Sequence, residues 1–128
     1  MLLRVINLSK NTCLGTKISV ADSPRARMVG LLGTADLRPD CGLLIFPTQA
    51  VHTFGMKYPI DVVFLDRSRK VIGMRKAVRP YRLTPIYWRA ECVLELPVTT
   101  LDSSRTEVGD SLQWEEHQPV SPPLTPDQ

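Results

Sequence analysis

The stretch from His52 to Asp66 reads HTFGMKYPIDVVFLD, and it decides the fold prediction. Its second part, Ile60 to Leu65, is β-branched and aromatic and is apolar on both faces except at Asp61. Such a strand is typical of a position between two layers of structure. Because a carboxylate is costly to bury without a partner, we expect Asp61 to be paired or hydrogen-bonded. The candidate partners are His52, Lys57 and a backbone N–H group.

The first part of the stretch predicts a short strand that carries His52. Side chains alternate along a strand, so His52, Phe54 and Met56 share one predicted face. A tight connection through Tyr58 and Pro59 would bring His52 close to Asp61. Such a pair either orients an imidazole for general base catalysis or fixes the register of two strands. The residues alone leave both roles open.

Cys41 would extend this pair to a Cys-His-Asp hydrolase arrangement. A metal site is the other alternative, with Met56 and Cys41 added to His52 and Asp61. One histidine and one carboxylate do not complete a structural zinc site, however, and no two cysteines have a zinc-binding spacing. We therefore expect neither a metal nor another cofactor.

The remaining pattern predicts a compact, mainly β domain over residues 1–116, either a sandwich or a partly open barrel. One short helix over 24–33 begins at Asp22-Ser23-Pro24, where a capping side chain precedes a proline. Helical spacing predicts that Met28, Leu31 and Leu32 are buried, and Gly33 is expected to end the helix. The strands are predicted at 2–8, 12–20, 42–46, 60–65, 71–78, 92–96 and 111–114.

The chain is acidic and rich in proline from Glu115 onward, so we expect 117–128 to be a disordered, proline-rich tail. The N-terminal sequence MLLRVINLSK is too short and too polar for a signal peptide. No run approaches the ~18 apolar residues that a membrane helix needs. These features predict a cytoplasmic protein that does not insert into a membrane.

Four motifs in order resemble the signature of the domain of unknown function 192 family, which has bacterial and archaeal members. They are the His52 stretch, RMVGLLG at 27–33, GLLIFP at 42–47, and residues 90–97 followed by Val108-Gly109-Asp110. The resemblance implies a small, mostly β domain with no known reaction. Family members often have glycine in the turn at 67–70, and this chain does not, so we expect a loop longer than a two-residue turn there. Family members also usually carry glycine near position 98 or 99, which this chain lacks.

The charge distribution is uneven, although the net charge is only +3. Residues 67–89 carry eight basic side chains and no acid, whereas residues 91–128 carry eight acids and one base. Tyr81 and Trp88 lie among the arginines, an arrangement that resembles single-strand binders. This stretch predicts a polyanion-binding surface through Arg75, Arg79 and Arg82. The acidic half and the lack of a recognised motif argue against nucleic acid as the partner.

The function that we expect is non-enzymatic binding of a small molecule or peptide, because polar and aromatic groups concentrate in an apolar setting. The alternatives are a hydrolase-like enzyme that uses His52 and Asp61, and a polyanion binder. The candidate ligand-binding residues are His52, Met56, Lys57, Asp61, Tyr81 and Trp88.

Overall fold

The computed structural model describes residues 1–117, and most of the predicted tail, 118–128, lies outside the described residues. Seven strands form one curled sheet, which confirms the mainly β prediction. The strands are β1 (Leu2–Asn7), β2 (Thr12–Ala21), β3 (Cys41–Ile45), β4 (Ile60–Leu65), β5 (Val71–Val78), β6 (Cys92–Pro97) and β7 (Leu112–Glu116). The helices are α1 (Pro24–Val29) and α2 (Thr100–Ser103).

The sheet curls into a half-barrel in the order β5-β4-β6-β3-β2-β1-β7. Neighbouring strands are antiparallel except for the parallel pair β2 and β3. The two edge strands meet at one end, where Lys70 and Ser111 form an isolated bridge. There the Val71 N–H donates to the Asp110 carbonyl at 2.8 Å. Of the two predicted architectures, the structure therefore has the partly open barrel.

Strand β4 is buried along its whole length, as its apolar sequence predicts. Val63 and Leu65 point to the inner face and belong to the core of the half-barrel. Ile60, Val62 and Phe64 point to the outer face and form a second apolar cluster with residues of the α1 region and the long loops. The sheet thus has two buried faces, and a polar side chain on either face is removed from bulk water.

Helix α1 begins where the sequence predicts and ends early. The Ser23 Oγ accepts a hydrogen bond from the Ala26 N–H at 3.1 Å, and Pro24 is the first helical residue. The helix was predicted to continue to Gly33 but ends at Val29. The reason is the backbone at Gly30, where a φ of 50° takes the chain out of the helix.

The predicted buried stripe of this helix is also wrong. Met28 is 75% exposed and Leu32 is 38% exposed, whereas Leu31 is buried. Leu31 and Leu32 lie beyond the end of the helix, so helical spacing does not describe their directions. As a result, α1 contains no buried residue, and Met28 stands at the surface of the outer face.

Residues 46–59 form a loop over the outer face instead of the predicted His52 strand. Its strand-like pairing within the described residues is one isolated bridge between His52 and Leu83. The Met56 N–H donates to the Thr53 carbonyl at 3.2 Å, and Gly55 between them has a φ of 82°. This turn breaks the alternation, so His52 is exposed while Met56 is buried.

The β4–β5 connection confirms the prediction of a loop longer than two residues. The Arg69 N–H donates to the Asp66 carbonyl at 2.9 Å, and the Asp66 N–H donates to the Lys70 carbonyl at 3.0 Å. Arg69 has a φ of 64°, the conformation that glycine adopts most readily.

Candidate functional site

Asp61 lies on the inner face of β4 and is 1% exposed. Its Oδ1 accepts a hydrogen bond from the Ala77 N–H at 2.9 Å, and its Oδ2 accepts one from the Leu101 N–H at 3.0 Å. Of the three predicted kinds of partner, the backbone N–H group is the one observed. Asp61 joins β4 to β5 and α2, so its contacts are those of a structural residue.

His52 lies on the outer side of the sheet and has different partners. Its Nδ1 accepts a hydrogen bond from the Phe54 N–H at 3.3 Å, and the two rings stack with centroids 5.4 Å apart. Within residues 1–117, no hydrogen bond or ring contact links His52 to Asp61. The predicted His52–Asp61 pair is not formed, because Asp61 faces the inner core while His52 belongs to the loop on the outer face.

The Cys-His-Asp arrangement is not formed either. Cys41 is the first residue of β3, and Ile45, which lies near His52 in a shared cleft, is the last. Four residues of strand span ~13 Å. Cys41 is thus at the far end of its strand from the imidazole.

Glu95 is the buried acid that the sequence analysis missed. It lies on β6 with its side chain on the outer face, between Leu43 of β3 and Val62 of β4. It is 3% exposed. Glu95 is a lone carboxylate in the apolar run Cys92 to Leu96, just as Asp61 is in Ile60 to Leu65. The cost of burying an unpaired carboxylate would therefore have identified Glu95 from the sequence as well.

The carboxyl group of Glu95 differs from that of Asp61 because it lacks a protein partner. Among residues 1–117, no group donates a hydrogen bond to it and no basic side chain forms an ion pair with it. Because neither oxygen has a hydrogen bond and neither is completely buried, the carboxyl group borders open space. Burial raises the pKa of Glu95 to about 7. Near neutral pH the group is therefore divided between its charged and neutral forms.

The open space beside Glu95 is a cleft of about 110 Å³ between β3, the α1 region and the 46–59 loop. Gly30 forms part of the wall, and a Cβ added there would lie 4.0 Å from the Glu95 Oε1. The cleft is lined by Arg27, Met28, Val29, Gly30, Leu31, Leu32, Ile45, Thr48, Ala50, Val51, His52, Met56 and Glu95.

Two of the predicted ligand-binding residues, His52 and Met56, line this cleft. The others do not. Lys57 is exposed outside it, and Tyr81 is 64% exposed with its ring 6.4 Å from that of Phe54. Trp88 is 83% exposed and borders a separate, open cavity of about 390 Å³. The structure therefore divides the predicted set among separate places.

The basic side chains predicted to bind polyanions, Arg75, Arg79 and Arg82, are all exposed. The Arg82 Nη1 donates to the carbonyls of Pro80 and Tyr81, each at 3.4 Å. All three arginines follow one another along β5 and the loop after it. Their exposure is compatible with a surface role, which stays a prediction.

A further cavity, of about 330 Å³, opens at one end of the half-barrel, on the inner face. Its floor includes Leu3 and Leu44, and its rim carries charges of both signs, among them Asp66 and Arg69. Arg69 lies over the Trp114 ring, with its guanidinium carbon 4.0 Å from the ring centroid. The charged rim residues are exposed or half-buried, so water can satisfy them. This cavity lacks the buried, unpartnered group that distinguishes the Glu95 cleft.

Residues 1–117 show neither a membrane-spanning helix nor a metal-binding cluster. No helix there is long and apolar enough to cross a membrane. No group of three or more histidine, cysteine, aspartate or glutamate side chains in that range is arranged to hold a metal ion.

Comparison with known proteins places the chain in a family. The DUF192 family model, described as "Uncharacterized ACR", matches residues 5–114. A UPF0127 protein of Thermococcus sibiricus is 32% identical over 87% of this chain and 74% of its own length. A UPF0127 protein of Pyrococcus horikoshii is 30% identical over 86% of this chain and 97% of its own length.

Two crystal structures share the fold. A protein of unknown function from Novosphingobium aromaticivorans has a TM-score of 0.75 and 19% identity, over 88% of this chain and 83% of that one. A putative transcription regulator from Sinorhizobium meliloti has a TM-score of 0.73 and 24% identity, over 88% and 91% respectively. At these identities the two structures support the fold alone. The match of the family model over most of the chain shows that this protein belongs to the DUF192 family.

Proposed function

We propose that this protein is a non-enzymatic binding domain that takes a small molecule into the cleft beside Glu95. One observation carries the proposal: a buried carboxyl group without a protein partner borders an open cleft. Buried polar groups in native proteins are almost always hydrogen-bonded, and an exception requires an explanation. A bound ligand that donates to Glu95 supplies one.

The energetic cost of Glu95 supports a functional role. An acid whose pKa is raised by burial destabilises the folded protein at any pH where the acid is charged. Functional sites commonly keep polar groups ready at the expense of stability. Asp61, by contrast, has two backbone donors and needs no ligand.

The small size of the cleft defines the scale of the ligand. A space of about 110 Å³ accommodates a few heavy atoms, so a larger molecule would enter by one end. Met28, Val29 and Leu32 stand exposed at the wall of the cleft and would contact the remainder of such a molecule. The separation of His52 from Asp61 removes the arrangement on which the hydrolase alternative rested.

The test is a fragment screen by ¹H–¹⁵N NMR with small cationic, neutral and anionic compounds. We expect shift changes that saturate and that map to the amides of 27–32, 48–56 and 95. A Met28→Ala variant should weaken the binding, because it removes an exposed part of the wall without disturbing the core. Glu91→Gln is the matched control, since Glu91 borders the cavity at the end of the half-barrel instead.

Two results would contradict the proposal. One is the absence of saturable shifts in the cleft with every compound. The other is a consistent mapping of the hits to the inner-face cavity near Trp114 or to the surface near Trp88.

A further inference from the structure

We propose that the group that enters this cleft is a primary ammonium on a short aliphatic stem. This inference rests on the proposed function, which requires only that the cleft bind some small molecule. It adds the chemical class of the ligand.

The unpaired carboxyl group of Glu95 favours a cation, although the cleft is also lined by the cationic Arg27. The charged or titratable side chains that line it are Glu95, Arg27 and His52. The Arg27 Nη1 donates to the Asp22 carbonyl at 3.5 Å, so the guanidinium is directed toward the start of α1. The salt bridges within the described residues involve Lys10 and Lys76, and none includes Glu95. An entering cation would therefore be the first counter-charge that this carboxylate meets.

The hydrogen-bonding capacity of the site favours a primary ammonium over a quaternary one. An ionised carboxylate accepts hydrogen bonds and an ammonium donates up to three. A charged donor and a charged acceptor form a stronger hydrogen bond than neutral groups do. A quaternary ammonium cannot donate, and it is best recognised by a cage of aromatic rings. The ring that lines this cleft, His52, is stacked on Phe54, so the two rings do not form such a cage.

The walls favour an aliphatic stem. Apart from the three titratable residues, Thr48 and backbone groups, the lining side chains are apolar. Met28 and Met56 contribute thioethers, which are flexible and fit apolar groups of varied shape. Because strands β3 and β4 place Leu43 and Val62 on either side of Glu95, the ammonium would be held at the base of the cleft and the stem directed outward.

The protonation of Glu95 gives this binding a characteristic pH dependence. An ammonium binds the charged form of the carboxylate, so binding at low pH must first remove the proton. Affinity should therefore rise roughly tenfold per pH unit below the pKa of the acid and become constant above it. The pKa of about 7 places this change close to neutral pH. An alkylamine stays protonated throughout this range, because its pKa lies near ~10.

The experiment compares n-butylamine, n-butanol and butyrate as NMR titrants of the full chain at pH 8. We expect butylamine to bind most tightly, and Glu95→Gln to weaken its binding about tenfold or more by removing a charged hydrogen-bond partner. Titrations of butylamine between pH 5.5 and 8.5 should show an affinity that rises with pH and then becomes constant. In Glu95→Gln the affinity should not depend on pH in this way. Glu91→Gln serves as the control and should keep the pH dependence, because Glu91 lies outside the cleft.

The outcomes distinguish this inference from the proposed function. Binding of butanol or butyrate in the cleft at least as tight as that of butylamine would overturn the ammonium and leave the binding cleft standing. An unchanged affinity of Glu95→Gln for butylamine would overturn the role of the carboxylate. Failure of all three probes to shift the cleft amides would overturn both proposals. Because Glu95→Gln removes a costly charge, we expect this variant to fold, and its amide spectrum verifies that it does.

Discussion

The Oδ2 of Asp61 accepts a hydrogen bond from the backbone N–H of Leu101 across 3.0 Å, although the two residues are 40 positions apart in sequence. The Oδ1 of the same carboxylate accepts from Ala77, whose φ of 50° marks an irregular position in β5. Leu101 is fully buried in the inner core, so the Asp61 carboxylate ties β4 to both β5 and α2.

Asp61→Asn should lower the free energy of unfolding by about 1.5–3 kcal/mol, the range for hydrogen bonds to charged groups. The amide would place an N–H₂ group against one of two backbone donors, which leaves a buried donor without an acceptor. Urea unfolding measures the change. The matched control is Asp102→Asn, which alters an exposed acid paired with Lys76 and should change stability by less than ~1 kcal/mol. Equal effects of the two variants would contradict the structural role of Asp61.

His52→Ala should be nearly neutral for stability, because the imidazole is exposed and its one hydrogen bond is local. Its effect should also be additive with that of Asp61→Asn, to within ~0.5 kcal/mol, since the residues share no partner. The measurement is urea unfolding of the wild type, both single variants and the double variant. A coupling well above that limit would mean that the imidazole and the carboxylate interact.

Glu95→Gln should stabilise the protein at pH 8 and have little effect at pH 4.5. The folded protein keeps the proton on Glu95 up to about pH 7, whereas the ordinary pKa of this side chain is 4.5. Between these values the folded state binds more protons, so the contribution of Glu95 to stability is present below pH 4.5 and is lost as the pH rises to 7. The stabilisation by glutamine should therefore grow over this window to at most about 3 kcal/mol.

Urea unfolding at intervals from pH 4.5 to 8 measures this difference, with Glu91→Gln as the control. Glu91 is half-buried at the other cavity, so the control should show no comparable growth with pH. If the difference in free energy of unfolding between the wild type and Glu95→Gln did not change with pH, burial would not raise the pKa of Glu95.

Thr99→Gly should stabilise the protein by about 1 kcal/mol, the typical cost of a left-handed backbone for a residue with a Cβ. Thr99 has a φ of 74° before α2, and its side chain makes no capping hydrogen bond. Thermal or urea unfolding measures the effect. Thr100→Gly is the control, because Thr100 is the first helical residue and glycine there should be destabilising. A loss of stability in Thr99→Gly would mean that the side chain contributes more than the strain costs.

The triple substitution of Arg75, Arg79 and Arg82 by glutamine tests the predicted polyanion surface. If the surface binds polyanions, the wild type should be retained on heparin at low salt and the variant should not. Retention should also weaken steeply as salt is added, because bound phosphates or sulfates release counterions. Substitution of the exposed Lys17, Arg25 and Arg38 removes equal charge elsewhere and should matter less. If the wild type is not retained on heparin at low salt, the prediction of a polyanion-binding surface is wrong.

Local signals in the sequence determined much of the fold. The apolar run around Asp61 identified a strand buried on both faces, because periodicity is a property of the chain itself. The Ser23-Pro24 start of α1 and the longer turn at 67–70 also followed from neighbouring residues and from the family resemblance. The same local reasoning overextended α1, since Met28 and Leu31 have helical spacing whether or not Gly30 continues the helix.

The tertiary structure alone decided which polar groups have partners. The sequence required that Asp61 be satisfied, but Ala77 and Leu101 reach it only after β5 and α2 come together at one end of the half-barrel. The alternation of side chains along β6 places Glu95 on the other face of the sheet from its neighbours Leu94 and Leu96. Alternation does not predict which residues cover that face. The cleft exists because α1 ends early and the 46–59 loop stops short of filling the outer face. The sequence alone thus shows that burying these carboxyl groups is costly. Whether a hydrogen bond offsets that cost depends on groups that are distant in sequence and that only folding brings close.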